Sequence, residues 1–157
     1  MTDVFAELHR RVGVYSGHGI QGDDTPFHAE LSLTPLLGAA GGVSVKFSAV
    51  GIDGTVLHEE RTWIAVDDEG SLCLWSITED GFRVSRYERE PLSVVPPQTD
   101  VRMGFCRFSS DARTVTSKVT LDLHRDGRLS YVRERRGPGG LFHMLLQVSM
   151  ALRSAIP

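Results

Sequence analysis

The sequence predicts an all-β protein: a closed or nearly closed antiparallel up-and-down β-barrel of about nine to ten strands, with a short N-terminal helix. Two observations support this prediction. Segments of alternating apolar and polar residues recur along the chain, and acidic-glycine pairs stand between them. Asp-Gly pairs favour tight hairpins because glycine reaches positive φ at little cost. The pairs are Asp53-Gly54, Glu69-Gly70, Asp80-Gly81 and Asp126-Gly127.

A barrel is favoured over a two-sheet jelly roll, which is the second possibility. Many short strands expose many edges, and a closed barrel removes those edges completely. Jelly rolls need longer crossing connections, whereas the turns here are tight.

The chain begins with one predicted helix. Thr2 can cap this helix, and Val4, Phe5 and Leu8 fall on one of its sides. From Gly13 onward the sequence is extended and rich in β-branched residues, so strands are predicted almost to the end.

Two segments, 43–51 and 115–124, alternate most clearly, as expected for strands with one face in a core. Segment 141–152 contains the Leu and Met of a helix, but its apolar residues at a spacing of two favour a strand. Segment 89–99 carries three prolines and is predicted to be a connection or an edge. The other predicted strands are 12–18, 28–34, 56–66, 71–77, 82–87, 101–108 and 128–136.

Length and charge limit the possible functions. The 157 residues suit a single domain, 1–157, and the formal net charge of −3 argues against a nucleic-acid partner. The basic cluster at 133–136 is expected to be a solvated strand end. No apolar segment reaches the roughly 20 residues that span a bilayer, and the first residues, which include Asp3 and Glu7, are not expected to be a signal peptide. We therefore expect a cytoplasmic protein without a membrane partner, in which Cys73 and Cys106 are free buried thiols.

A glycine motif lies at the start of the first predicted strand, where Gly13, Tyr15, Gly17 and Gly19 form G-x-Y-x-G-x-G. It resembles the G-x-W-x-G-x-G opening of the nitrobindin family, which are fatty-acid-binding-protein-like barrels of the calycin superfamily that hold heme. Tyrosine stands here in place of tryptophan. Further similar segments follow in the family's order: His58-Glu59-Glu60, Asp68-Glu69-Gly70, Trp75-Ser76-Ile77, Asp80-Gly81 and Leu129-Ser130-Tyr131. The resemblance implies a calycin-type barrel with a cavity, and heme b as its cofactor.

The same resemblance implies an iron ligand near the C-terminus, where His143 is the candidate metal ligand. A rival alignment places Ser149-Met150-Ala151 at the end of the family's penultimate strand, and this chain then has no heme ligand. The sequence leaves both alignments open. If Phe142, Met144 and the apolar residues at the same spacing face the core, His143 faces outward; if they pack outward against another subunit, His143 faces inward. A heme-loaded protein of this family implies chemistry on reactive nitrogen species, including peroxynitrite isomerisation.

Two residue pairs are candidates for ligand binding because each shares one face of a strand. Tyr131 and Arg133 resemble the pair with which fatty-acid-binding proteins hold a carboxylate, and arginine offers a fork of donors that suits this group. Arg135 continues the same parity, which favours a solvated basic face instead. His58 and Glu60 are interpreted as a hydrogen-bonded pair at the barrel rim rather than as metal ligands, because no third ligand has suitable spacing.

Trp63 and Trp75 either line a cavity or fill the core, and core filling is the expectation. No catalytic constellation and no phosphate loop is found, so we predict a binding protein rather than an enzyme. The leading hypothesis is a small-molecule-binding protein with an apolar or amphipathic ligand in a barrel cavity. The alternatives are a nitrobindin-like heme protein, and a structural or interaction module in which outward apolar residues of 142–152 pair two barrels into a homodimer.

Overall fold

The computed structural model describes residues 3–36, 41–78, 81–91 and 94–156, which form one helix and ten strands. Each strand pairs antiparallel with the next, and the last strand pairs with the first. The predicted closed up-and-down barrel with one short N-terminal helix is therefore confirmed. The elements are α1 (Val4–Arg10), β1 (Gly13–Gln21), β2 (Pro26–Pro35), β3 (Val43–Gly51), β4 (Val56–Val66), β5 (Leu72–Thr78), β6 (Gly81–Arg89), β7 (Thr99–Phe108), β8 (Val115–His124), β9 (Leu129–Arg136) and β10 (Phe142–Ala155).

Helix α1 lies at the barrel end where β1 begins. Asp3 caps it, since its Oδ1 accepts hydrogen bonds from the amides of Phe5 at 3.0 Å and Ala6 at 3.3 Å; the predicted cap Thr2 lies outside the described residues. Leu8 is completely buried. We call the opposite end, where the odd-numbered strands finish, the mouth. No helix in the described ranges is long and apolar enough to cross a membrane.

Glycines close the hairpins as predicted. Gly54, Gly70 and Gly127 adopt φ values of 84°, 81° and 86°, and each amide donates to the carbonyl three residues earlier. This geometry is a turn followed by a left-handed residue, which glycine adopts without strain. Gly140 does the same at φ 81° without an acidic residue before it. In the fourth predicted pair, Asp80 lies outside the described residues.

Alternation along each strand separates an inner face from an outer face. In β3 the predicted inner residues are confirmed, since Val43, Val45, Phe47 and Ala49 are all at most 4% exposed. In β8 the residues of the same parity, Val119, Leu121 and Leu123, lie in the core as predicted. The apolar layer fills the barrel on the side of α1 and leaves polar inner positions toward the mouth.

Segment 141–152 is a strand as predicted, but the strict parity expected for it is wrong. A bulge lies between Met144 and Leu146, because these residues pair with the neighbours Glu134 and Arg133 of β9. The extra residue moves the preceding positions to the opposite face. Phe142 consequently lies outside, with its ring centroid 4.9 Å from the ammonium of Lys118.

Within the described ranges, strands β6 and β7 pair at two positions, Glu88 with Cys106 and Arg89 with Phe105. One more bond joins them, from the Glu90 amide to the Gly104 carbonyl at 2.8 Å. Toward the mouth the two strands diverge. The inner face of the barrel is therefore most open between the first part of β6 and the end of β7.

Candidate functional site

Polar side chains replace apolar ones on the inner face between the apolar core and the mouth. Strand alternation points them inward from four strands, and most are almost completely buried; Glu60 is 3% and Arg133 is 7% exposed. We call this group the inner polar cluster. Its members are His58, Glu60 and Thr62 of β4, Ser76 of β5, Tyr87 of β6, and Tyr131 and Arg133 of β9.

Glu60 is the centre of the cluster. Its Oε1 accepts hydrogen bonds from the Thr62 hydroxyl at 2.6 Å, the Tyr131 hydroxyl at 2.7 Å and the Ser76 hydroxyl at 3.1 Å. Hydroxyl donors from three strands therefore satisfy one oxygen of this carboxylate.

The other oxygen of Glu60 contacts Arg133 and His58. Its Oε2 accepts from Nη1 of Arg133 at 2.6 Å and lies 3.0 Å from Nε2 of His58. Burial opposes ionisation of Glu60, but the His58 hydrogen bond and the Arg133 charge, with the hydroxyl donors, lower its pKa to about 2. The carboxylate is consequently charged at neutral pH and balances Arg133.

Tyr131 and Arg133, predicted to hold a ligand carboxylate, both contact Glu60 of the protein itself. Burial and then the Glu60 charge raise the pKa of Tyr131 well above its usual value, so it stays a neutral donor. Burial alone would lower the pKa of Arg133, but Tyr131 and Glu60 hold it above its usual range. The structure thus brings together His58, Glu60, Tyr131 and Arg133, while their binding of a ligand stays a prediction.

Tyr87 contacts both the inner polar cluster and a cavity. Nη2 of Arg133 donates to the Tyr87 hydroxyl at 3.0 Å, and in the described part of the chain no group accepts the hydrogen of this hydroxyl. Tyr87 and Arg133 line a cavity of about 110 Å³ that opens toward the mouth. The Tyr87 hydroxyl hydrogen is therefore available to a ligand.

The cavity wall carries more donors than acceptors. Ser85, Arg107, Ser117 and Arg135 contribute to it, and Leu145 and Leu146 of β10 form an apolar side. Within the described ranges, neither Arg107 nor Arg135 forms an ion pair. A wall of this composition suits an anionic group with an apolar extension.

Four residues of the cavity wall were not predicted to belong to a site: Tyr87, Ser85, Arg107 and Ser117. Arg107 lies after an apolar run, and Tyr87 lies in the polar segment 83–90, so no local pattern distinguishes them. They become neighbours of Arg133 only because the barrel closes and β6 diverges from β7. Arg135 was recognisable from its parity with Arg133.

The prediction that Trp63 and Trp75 fill the core is wrong. They are direct cross-strand partners on the outer face of β4 and β5, and both are half-buried. Alternation gives the inner positions to their neighbours, such as Ile64 and Leu74. Neither tryptophan lines the barrel cavity; Trp75 borders a separate outer groove of about 720 Å³ that also contacts Cys73.

The glycine motif lies where the first and last strands close the barrel. A Cβ at Gly17 would overlap the Ser149 carbonyl oxygen of β10, and one at Gly19 would overlap the Gln147 carbonyl oxygen. Gly13 approaches β10 in the same way, with a Cβ position 2.6 Å from the Leu152 side chain. Tyr15 is buried and donates its hydroxyl hydrogen to the Arg11 carbonyl at 2.6 Å. The motif therefore permits close approach of two backbones, away from the inner polar cluster.

His143 lies at the rim of the mouth. It pairs with Arg135, and this register places it on the inner side of the barrel because of the bulge before Leu146. Its side chain is exposed, and its ring lies against Gly137. The nearby cavity of about 110 Å³ is smaller than the roughly 300–1,000 Å³ of pockets for drug-sized ligands. The enclosed space therefore does not fit heme, which is at least that large.

The remaining metal and thiol expectations concern His58, Cys73 and Cys106. His58 forms the predicted hydrogen-bonded pair with Glu60, and the described residues contain no group of three His, Cys, Asp or Glu side chains that could hold a metal ion. Cys73 and Cys106 are both buried free thiols, as predicted.

Comparisons with known proteins were informative for the fold alone. No protein-family description matches the sequence, and no curated protein matches it. Among solved structures, the crystal structure of Rv2717c from M. tuberculosis is similar, with a TM-score of 0.69, 15% sequence identity, and coverage of 98% of this chain and 99% of that chain. The chain is thus a ten-strand antiparallel barrel that is similar in fold to Rv2717c and fits a calycin-like architecture.

Proposed function

We propose that this protein is a cytoplasmic small-molecule-binding protein that holds the anionic head group of an amphipathic ligand at the mouth of its barrel. One observation carries the proposal: the buried Tyr87 hydroxyl accepts from Arg133 at 3.0 Å and faces the cavity with a hydrogen that no described residue accepts. An anionic oxygen placed beside Tyr87 would accept this hydrogen, and hydrogen bonds to charged groups are stronger than those between neutral groups.

Arg133 supports the same ligand chemistry. A guanidinium has five N–H donors; Arg133 directs Nη1 to Glu60, with His58 Nε2 at 3.3 Å from the same nitrogen, and Nη2 to Tyr87. Arg133 also lines the cavity, so a ligand carboxylate bound there would lie beside a charged guanidinium. Because Glu60 and its hydroxyl donors fix the position of Arg133, the guanidinium is oriented before a ligand binds, which reduces the entropic cost of binding.

The apolar part of the bound ligand is expected to extend out of the cavity through the mouth. Leu145 and Leu146 form the apolar side of the cavity. A volume of about 110 Å³ accommodates a head group and a few carbon atoms but not a whole long-chain lipid. The ligand class that suits this site is consequently a short or medium-chain amphipathic anion.

The test is titration calorimetry of the purified protein with octanoate, using octanol as the uncharged control. We expect octanoate to bind at one molecule per chain and octanol to bind at least about tenfold more weakly, because hydrogen bonds to charged groups contribute about 1.5–3 kcal/mol. Tyr87→Phe should weaken octanoate binding about tenfold. Tyr15→Phe removes an equally buried hydroxyl near α1 and should leave the affinity unchanged.

Equal affinities for octanoate and octanol, or an unchanged affinity in Tyr87→Phe, would overturn the proposal. Native mass spectrometry of the purified protein, followed by denaturing extraction, identifies any ligand carried from the cell. An amphipathic anion in the extract supports the assignment, whereas a neutral or cationic ligand contradicts it.

The second candidate is a nitrobindin-like heme protein. It is supported by the glycine motif of β1 and by the register of His143, which lies opposite Arg135 on the inner side of β10. The enclosed cavity does not accommodate heme, so no chemical step is assigned to it. In this candidate His143 would supply the iron ligand, and heme would provide the reaction with nitrogen oxides.

The third candidate is a homodimer that pairs barrels through β10. Leu152 supports it because it is apolar and 51% exposed on this strand. Sedimentation at micromolar concentration should then show a dimer that Leu152→Glu dissociates. A wild-type monomer contradicts this candidate.

A further inference from the structure

Three inner-face side chains stand side by side at the mouth. Arg107 of β7 pairs with Ser117 of β8, and Ser117 pairs with Arg135 of β9. Cross-strand partners project from the same face of a sheet. All three residues contact the cavity of about 110 Å³. We call this set the arginine row.

No described residue forms an ion pair with the two arginines of the arginine row. Arg133 lies one step deeper, opposite Val119, and Glu60 neutralises it. By contrast, Arg107 and Arg135 form no ion pair with any described residue.

Among the described residues that line the cavity, Glu134 is the one acidic residue. Its register partner is Lys118, and strand alternation places both side chains on the outer face of the barrel. The row therefore presents two positive charges, although the whole chain has a formal net charge of −3.

The spacing of the row allows both arginines to contact one group. Neighbouring strands lie about 4.8 Å apart, so the backbones of Arg107 and Arg135 are separated by about 10 Å across β8. Two long side chains can converge over Ser117 between them. Guanidinium forks and a hydroxyl are the donors that tetrahedral phosphate oxygens accept. A doubly charged group also relieves the repulsion between two like charges on neighbouring strands.

We propose that the arginine row binds a doubly charged head group, so that the ligand is an amphipathic phosphate monoester rather than a monocarboxylate. This inference rests on the proposed function, since it uses the same mouth and cavity. A phosphate monoester carries close to two negative charges at pH 7, whereas a sulfate monoester of the same shape carries one. The two esters therefore differ in charge, which is the property that we propose the arginine row recognises.

The test compares octyl phosphate with octyl sulfate by titration calorimetry at pH 7.5 in a buffer without phosphate. Octyl phosphate should bind at least about tenfold more tightly. Arg107→Met and Arg135→Met should each weaken octyl phosphate binding about tenfold and octyl sulfate binding less. Arg136→Met is the matched control, because Arg136 follows Arg135 directly but lies outside, 5.1 Å from the Phe142 ring centroid.

Equal affinities for the two esters, or unchanged phosphate affinity in both Arg107→Met and Arg135→Met, would overturn this inference. Octanoate separates this failure from that of the proposed function. If octanoate binds in a Tyr87-dependent manner while the two esters bind equally, the head-group site stands and the preference for a doubly charged group is wrong. If none of the three ligands binds, the proposed function itself fails. Circular dichroism of each variant confirms that it is folded.

Discussion

Nη1 of Arg133 on β9 donates a hydrogen bond to Oε2 of Glu60 on β4 at 2.6 Å, and this bond crosses the inside of the barrel. Both side chains are buried, so each loses its hydration. A buried pair of this kind contributes little net stability, but removal of one partner leaves an uncompensated charge. The pair therefore couples the position of Arg133 to the folded state of the barrel.

A double-mutant cycle on this pair should be strongly non-additive. We expect Arg133→Met and Glu60→Gln each to lower the free energy of unfolding by about 3–5 kcal/mol. The double variant should lose at least about 1 kcal/mol less than the sum, because neither charge is then left unpaired. Urea denaturation measures all three values, and additive losses would contradict the prediction.

The exposed pair of Arg153 and Glu30, whose atoms lie 3.3 Å apart, provides the control cycle. Its coupling should stay within the roughly 0–1 kcal/mol typical of surface ion pairs.

Acid should destabilise the protein through Glu60. Its pKa in the folded state is about 2, against an ordinary value of 4.5. A lowered pKa gives stability that is present above pH 4.5 and is lost as the pH falls from there toward 2; at about 1.4 kcal/mol per unit, the full loss is about 3–4 kcal/mol. Urea denaturation between pH 7 and pH 2.5 should show most of this loss in the wild type. Glu60→Gln should lack this loss, whereas the exposed Glu30→Gln should retain it. The same dependence of the free energy of unfolding on pH in all three proteins would contradict the prediction.

Gly17→Ala should destabilise the barrel. A Cβ at this position overlaps the Ser149 carbonyl oxygen, and a backbone atom of β10 cannot move without disturbing the seam. Overpacking costs about 1–3 kcal/mol, so we expect a loss of at least about 2 kcal/mol in urea denaturation. Gly139→Ala is the control, because a Cβ there meets nothing within 4 Å. Equal stabilities of the two variants would show that β1 and β10 do not require this close approach.

Hemin distinguishes the two ligand-binding candidates. The head-group proposal, with a cavity of about 110 Å³, predicts no saturable Soret band at one hemin per chain. The heme candidate predicts such a band and its loss in His143→Ala, since His143 is its iron ligand. His28→Ala, on β2, serves as the control for nonspecific binding to histidine. A saturable band that only His143→Ala removes would replace the head-group proposal with heme.

Much of the architecture was predictable from local patterns. The alternation in 43–51 and the positive-φ glycines at 54, 70 and 127 act over a few residues, so the sequence alone predicts strands and hairpins there. The register of β10 was not predictable, because one extra residue before Leu146 reverses the faces of Phe142 and His143. A bulge depends on pairing with β9, which is distant in sequence.

The site was predictable only in part. The parity of His58 with Glu60, and of Tyr131 with Arg133, identified two pairs that the structure joins into one cluster. The ion pair between Glu60 and Arg133 was not predictable, because the two residue pairs are about seventy residues apart and meet only across the closed barrel. The same is true of Tyr87, which reaches Arg133 from a third strand.

The sequence by itself determined an all-β chain with tight glycine turns and one N-terminal helix, because period-two alternation and turn propensity are local properties. Only the tertiary structure decided which charges cancel. Closure of the barrel places Glu60 against Arg133, whereas Arg107 and Arg135, on either side of Ser117, form no ion pair within the part of the chain that the structure describes. Electrostatic compensation depends on distances through space between strands, and those distances are set by register and closure rather than by neighbours along the chain.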